Sequence, residues 1–142
     1  MKPIKYINSF LLICMCLTIT ACPSPDTVDE DNGALVGLWA YTNSGNTEPD
    51  LIHFRDGGRY TYYENVNLQN GTYRDIWDDT YVYNASSKTL RMVEFDTDVF
   101  DYGNVRVTDH TLTMTYYGVS KDFEEYYVRI SDDQIPTKYI GW

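Results

Sequence analysis

Cysteine is scarce in this chain of 142 residues, and its three copies all lie within the first 22. Cys14 and Cys16 belong to an apolar N-terminal run, and Cys22 stands just after it. A domain built from the later residues therefore has no disulfide framework and depends on an apolar core. A zinc site with cysteine ligands is excluded for the same reason.

Basic residues are also few, because 11 Lys and Arg stand against 21 Asp and Glu, for a net charge of −10. Residues 1–21 contain two lysines and no acid, so their removal changes the net charge to −12. A chain this negative repels nucleic acid and anionic lipid surfaces. We therefore expect no nucleic-acid partner.

Catalytic and metal-binding motifs are missing from the sequence. The two histidines, His53 and His110, stand in a strand-like segment and in a turn, and no G-x-S-x-G motif is present. The acidic stretch 95–104 fails the EF-hand pattern, because Phe100 stands where a Ca²⁺ ligand is required. An irregular calcium loop remains the alternative to an acidic hairpin connection here, but we expect no metal and no cofactor.

Paired carboxylates are the one feature that suits hydrolysis. Asp75, Asp78 and Asp79 flank Trp77, and two carboxylates about 5–10 Å apart can hydrolyse glycosides. In a chain with 21 acidic residues such neighbours arise by chance. We therefore assign no catalytic residue and predict that the protein is not an enzyme.

The N-terminus has the pattern of a secretory signal. Lys2 and Lys5 precede the apolar run 10–20, "FLLICMCLTIT", which is too short for a comfortable membrane span. The run ends in "ITAC", which resembles the lipobox of bacterial lipoproteins. The resemblance implies cleavage before Cys22 and attachment of acyl chains to that cysteine, which would anchor the protein in a membrane. An ordinary signal peptide is the alternative.

Residues 22–34 follow as an acidic segment with too little apolar area to fold, and we interpret them as a flexible tether. Pro23 replaces the aspartate of the best-known inner-membrane retention signal. The run Asp29, Glu30 and Asp31 resembles a surface-export signal of some Gram-negative lineages. We therefore predict an outer-membrane lipoprotein of a Gram-negative bacterium, either facing the periplasm or exposed at the surface.

From Leu35 onward the chain alternates with period two, which is typical of half-buried strands. "TLTMTYY" places Leu112, Met114 and Tyr116 on one face, and "FEEYYVRI" alternates in the same way. Asp-Gly at 56–57 and Asn-Gly at 70–71 indicate tight turns. The predicted strands are 36–41, 50–54, 59–64, 72–77, 80–84, 89–95, 102–108, 111–117 and 123–130. We predict one all-β domain over residues 35–142.

Several segments of this domain are similar to small bacterial lipocalin-like lipoproteins. They are the G-x-W pattern of "LVGLWAY" and the later "HFRDGGRYTYY", "NGTYRDIW", "KTLRMVEF", "VTDHTLTMTYY" and "EYYVRI". The resemblance implies an antiparallel meander closed into a barrel of eight to nine strands, with a β-sandwich as the alternative. It also implies that Trp39, next to Gly37 and Leu38, closes one barrel end, and that Arg129 packs over its ring.

Tyrosine is abundant, with 14 copies in the chain. Tyrosines support sheets through cross-strand contacts, and they also offer apolar area with a hydroxyl group to a ligand. We therefore predict a lipid-anchored envelope module that binds a small apolar or amphipathic ligand, whose contact residues the sequence does not identify. The alternative is a barrel filled by its own rings that binds an envelope protein or a glycan through its outer face. Tyr139, Ile140 and Trp142 are expected to dock on the barrel, to cover an opening or to meet a partner.

Overall fold

The computed structural model describes residues 32–42, 45, 47–118 and 121–142, and the signal segment, Cys22 and most of the tether lie outside these residues. Eight antiparallel strands close into a barrel in meander order, because the first strand pairs with both the second and the last. The predicted all-β barrel is thereby confirmed, and the sandwich alternative is wrong. None of the described helices is long and apolar enough to cross a membrane.

The barrel strands follow one another along the chain, interrupted once by a short strand that lies outside the barrel. The barrel strands are β1 (Gly37–Tyr41), β2 (Leu51–Arg55), β3 (Arg59–Glu64), β5 (Asp75–Asn84), β6 (Thr89–Glu94), β7 (Asp98–Val107), β8 (Thr111–Tyr117) and β9 (Asp122–Ile130). The short strand β4 (Thr72–Tyr73) pairs in parallel with β10 (Lys138–Tyr139). Two 3₁₀ turns, Asn32–Ala34 and Asp132–Gln134, precede β1 and follow β9.

Two predicted strands were drawn wrongly around acidic residues. Segments 72–77 and 80–84 are not two barrel strands, because β5 runs without a break through Asp78 and Asp79. Asp78 accepts hydrogen bonds from Arg55 and Thr61, while Asp79 accepts one from the backbone N–H of Asp96. Aspartates that find such partners are tolerated inside a strand despite their low strand propensity.

The strand predicted at 102–108 begins earlier, at Asp98. The acidic stretch is therefore mostly strand, and the connection between β6 and β7 is only residues 95–97. Asp101 lies on the outer surface in an ion pair with Arg91, at 2.7 Å between Oδ1 and Nε. The interpretation of the whole stretch as a hairpin connection was wrong.

The predicted Asp-Gly turn joins β2 to β3, with Gly57 at a φ of +76°. The chain runs along the barrel axis in alternate directions, so β1 begins at the same end as this turn. We call this the closed end, for reasons given below. The strands β1, β3, β6 and β8 end at the opposite end, which we call the open end.

A second apolar layer covers the outside of β1 to β3. Leu38, Leu51 and Tyr63 point outward from these strands but are buried, together with Val66 from the connection between β3 and β4. Ile135, from the segment after β9, packs against the same cluster. The connection and the C-terminal segment therefore act as a cover for one side of the barrel.

The C-terminal segment docks beside this cover, since the backbone N–H of Ile140 donates to the carbonyl oxygen of Tyr73 at 2.9 Å. The Tyr73 and Tyr139 rings are 5.8 Å apart, and the guanidinium of Arg74 lies 5.7 Å from the Trp142 ring centre. The segment docks on β4, outside the barrel, and not on the barrel strands as expected, and Trp142 keeps 76% of its surface exposed. The segment is held by its backbone more than by burial of its rings.

Candidate functional site

The interior of the barrel is filled at the closed end. Trp39 is fully buried there, and its indole N–H donates to the carbonyl oxygen of Leu35 at 2.8 Å. Inward-facing side chains of the other strands pack into the same cluster. They include Phe54, Tyr81, Tyr83, Leu90, Val105 and Leu112.

Arg129 and Gly37 complete the closed end. The guanidinium carbon of Arg129 lies 4.2 Å from the Trp39 ring centre, and its Nη1 donates to the carbonyl oxygen of Val36 at 2.7 Å. Gly37 has a φ of +138°, and a Cβ placed there would stand 2.3 Å from Arg129 Nη1. The structure therefore brings together the three residues that the sequence singled out. The positive φ favours glycine at position 37, and an added Cβ would also force the Arg129 guanidinium to shift.

A cavity of about 260 Å³ occupies the interior toward the open end. Its position follows from the strand ends, because Glu64 closes β3 and Glu94 closes β6 at that end. Aromatic rings supply most of its wall, and they are those of Tyr60, Tyr62, Trp77, Phe100, Tyr102 and Tyr127. Ile52 and Met92 add apolar surface between the rings. The volume is near the lower limit for small-molecule pockets.

Contacts between side chains and with the backbone hold the aromatic wall in place. Tyr62 and Trp77 face each other across β3 and β5, with ring centres 4.4 Å apart and planes 19° apart. The Tyr62 hydroxyl donates to Asp50 Oδ2 at 2.8 Å, and the Tyr60 hydroxyl donates to the carbonyl oxygen of Val93 at 2.6 Å. Burial raises the pKa of Tyr62, and the nearby Asp50 carboxylate raises it further. The hydroxyls therefore stay protonated and act as donors.

Three carboxylates, those of Glu64, Glu94 and Glu125, also line the cavity. Burial raises the pKa of all three. Neighbouring acids add to the rise for Glu64 and Glu94, whereas the hydrogen bond that Tyr127 donates to Glu125 at 2.8 Å opposes it. Within the described part of the chain, none of the lining residues is basic. The cavity thus combines aromatic faces with uncompensated acidic groups.

The aspartates that suited hydrolysis are not brought together. Asp78 points outward to Arg55, at 2.7 Å between Oδ1 and Nη2, while Asp79 lies buried on the inward face. His53 faces outward from β2, where burial lowers its pKa, and His110 lies in the turn between β7 and β8. Across the described residues, no three His, Cys, Asp or Glu side chains converge as a metal site.

The three glutamates were missed in the sequence, although a signal for them exists. Each glutamate lies at alternate positions with tyrosines or apolar residues of its own strand, and therefore points inward with them. Tyr60, Tyr62 and Glu64 are an example. In β9 the cavity residues are Glu125 and Tyr127, while the more apolar Tyr126 and Val128 point outward and are exposed. Hydrophobicity alone therefore indicates the wrong face for this strand.

No protein-family model, curated protein or solved structure matches this chain.

Proposed function

We propose that this protein is a lipid-anchored binding module of the bacterial cell envelope that holds a small apolar or amphipathic ligand without catalysing a reaction. The observation that carries the proposal is the aromatic cavity of about 260 Å³ at the open end of the barrel. A barrel that is packed at one end and hollow at the other offers a ligand a site that is open toward solvent. Aromatic rings with hydroxyl groups suit a ligand that has both apolar and polar parts.

A lipocalin-like architecture supports this proposal. The eight strands close in meander order, and the G-x-W pattern lies in β1 with an arginine of the last strand over its tryptophan. The strand order agrees with the resemblance noted in the sequence. Fold alone does not imply ligand binding, so the cavity has to carry the functional argument.

The composition of the cavity favours binding over catalysis. Its described lining consists of aromatic, apolar and glutamate side chains. The hydroxyls of Tyr62 and Tyr127 are engaged with carboxylates, and burial raises their pKa, which makes them poor nucleophiles. The glutamates have the acid–base capacity of many enzymes but face no activated nucleophile among the described residues.

Anchoring through Cys22 rests on the sequence, because this residue lies outside the described part of the chain. The "ITAC" segment and the apolar run before it support a lipoprotein in the outer membrane of a Gram-negative bacterium, facing either the periplasm or the outside. The Cys22→Ser variant should move from the membrane fraction to the soluble fraction. A variant that stays with the membrane contradicts the lipid anchor.

The second candidate function is partner binding through the outer face, and exposed apolar side chains favour it. Tyr117 is 52% exposed and borders an outer groove with Val82, Arg91 and Asp101. Exposed apolar area bordered by charged groups is typical of contact surfaces for proteins or glycans. This alternative requires no ligand in the cavity.

Native mass spectrometry of residues 23–142, exported to a bacterial periplasm and purified without detergent, tests the proposal. The core residues that the structure describes all lie from Leu35 onward, so this segment contains them. We expect a discrete added mass that is released on denaturation and reduced by Trp77→Leu. A clean apo mass for the protein from its natural host contradicts ligand binding. If variants of the outer face also lose a binding partner, the second candidate is supported.

A further inference from the structure

We infer that the barrel cavity selects a small organic cation, whose ammonium group lies against the aromatic wall and is balanced by the cavity carboxylates. The inference deepens the proposed function and rests on it, because it names the chemical class of the ligand in the same cavity. Three observations support this inference: the aromatic wall, the excess of acidic groups and the distribution of these groups around the cavity.

The aromatic wall provides faces that attract positive charge. Tyr62 stacks on Trp77, and Trp77 also contacts Phe95 at 5.3 Å between ring centres. Phe100 and Tyr102 both contact Tyr116, at 5.9 Å and 5.6 Å. These contacts fix the rings in place before a ligand binds. An ammonium within about 6 Å of such a ring centre is attracted by its quadrupole, most strongly where water is excluded.

The charge of the cavity favours a cationic ligand over a neutral or an anionic one. A neutral apolar ligand that filled the cavity would displace water from Glu64, Glu94 and Glu125 and supply no partner in return. An anion would meet three carboxylates with no basic residue among the described lining. A cation alone compensates the acidic groups while it covers the rings.

The distribution of the carboxylates favours an organic cation over a metal ion. Glu64, Glu94 and Glu125 come from β3, β6 and β9, which are not neighbours in the barrel. They are not gathered into a metal-binding group, since no such group exists among the described residues. Separated carboxylates with rings between them suit a diffuse charge with apolar substituents, such as a substituted ammonium.

Isothermal titration calorimetry tests this inference. The protein is the mature form isolated from its host and purified in the uncharged detergent dodecyl maltoside. The cationic probes are choline and the larger benzyltrimethylammonium. The controls are 3,3-dimethylbutan-1-ol, which replaces the ammonium nitrogen of choline by carbon, and the anion 3,3-dimethylbutanoate. We expect a cation to bind at least about tenfold more tightly than the neutral isostere, and the anion not to bind.

Matched variants locate the effect in the cavity. Glu125→Gln keeps a hydrogen-bond acceptor for Tyr127 but removes the charge, so it should weaken cation binding severalfold and leave the neutral alcohol unaffected. Glu124→Gln removes the same charge from the exposed side of β9, and it should change neither the affinity for the cations nor the affinity for the neutral alcohol. Trp77→Leu should weaken the cations more than the alcohol. Thermal melts identify any variant that fails to fold, and Glu94→Gln then replaces it.

The inference fails if the neutral isostere binds as tightly as the cations, or if neither cation binds. In the first case, or where native mass spectrometry finds a neutral adduct, the cavity still holds a ligand and the proposed function stands. A protein that binds none of the probes and has a clean apo mass from its natural host contradicts both proposals.

Discussion

Replacing Trp39 by alanine should remove the centre of the packing at the closed end. The side chain is fully buried, its N–H group is bonded to Leu35, and its ring lies beneath the Arg129 guanidinium. Truncation of a buried Trp costs about 3–5 kcal/mol through lost apolar contacts and the space left behind. Loss of the cation–π contact adds to this cost. Arg129 Nε is buried and has no hydrogen-bond partner among the residues that the structure describes, so its burial is poorly compensated once the ring is gone.

Urea unfolding followed by far-ultraviolet circular dichroism measures this cost, because it does not depend on tryptophan fluorescence. We expect the free energy of unfolding to fall by about 3–5 kcal/mol with the m-value unchanged, and the Tm to fall by more than about 10 °C. Trp142→Ala is the matched control, because this tryptophan is 76% exposed and should change stability by less than about 0.5 kcal/mol. A Trp39→Ala melt that matches the control would refute the reasoning about the closed end.

Three further predictions concern the same framework. Gly37→Ala should destabilise the barrel by about 1–3 kcal/mol in urea, whereas Gly57→Ala, whose added Cβ meets no atom within 4 Å, should cost less; equal losses would argue against the contact with Arg129. In a double-mutant cycle of Trp39→Leu and Arg129→Met, the coupling energy should be about 0.5–2 kcal/mol, and additive losses would exclude a direct interaction. Burial raises the pKa of Glu125 above its ordinary 4.5, so the folded state binds this proton more readily than the unfolded chain, and the contribution of this carboxyl to stability rises as the pH falls toward that pKa. Glu125→Gln should therefore be more stable than wild type at neutral pH, and the difference between their urea midpoints should shrink on acidification. A difference that does not change with pH would contradict this.

The barrel itself was predictable from the sequence because each strand repeats the same local rule. In β8, Leu112 and Met114 are buried as the period-two pattern predicts, and the Asp-Gly turn lies where the sequence places it. The sequence pattern gave the wrong strand boundaries where a residue with low strand propensity is stabilised by a partner from elsewhere in the chain. Asp78 and Asp79 indicate a break in strand propensity, but Arg55 and the Asp96 backbone satisfy them across the sheet.

The cavity could not be predicted from the sequence, because its residues come from strands whose inward face is not determined by hydrophobicity. Glu125 faces inward and Val128 outward in β9, which reverses the ordinary preference of both side chains. The cavity volume also depends on side chains from several strands at once. A larger ring at one position, such as Ile52, would fill the cavity, and the pattern of a single strand does not predict this. The residues at the closed end were identifiable only through the family resemblance of the G-x-W pattern.

The direction in which the chain enters the barrel has a consequence for how the proposed ligand would reach the cavity. The 3₁₀ turn Asn32–Ala34 and the buried Leu35 lie at the Trp39 end, so the N-terminal segment reaches the domain on the side away from the cavity. Nine residues, 23–31, lie between Cys22 and Asn32, so the two are at most about 35 Å apart. For a protein anchored at Cys22 as proposed, the tether therefore joins the domain at the end opposite the cavity mouth, and we expect the proposed ligand to enter from the water more readily than from the leaflet that holds the lipid.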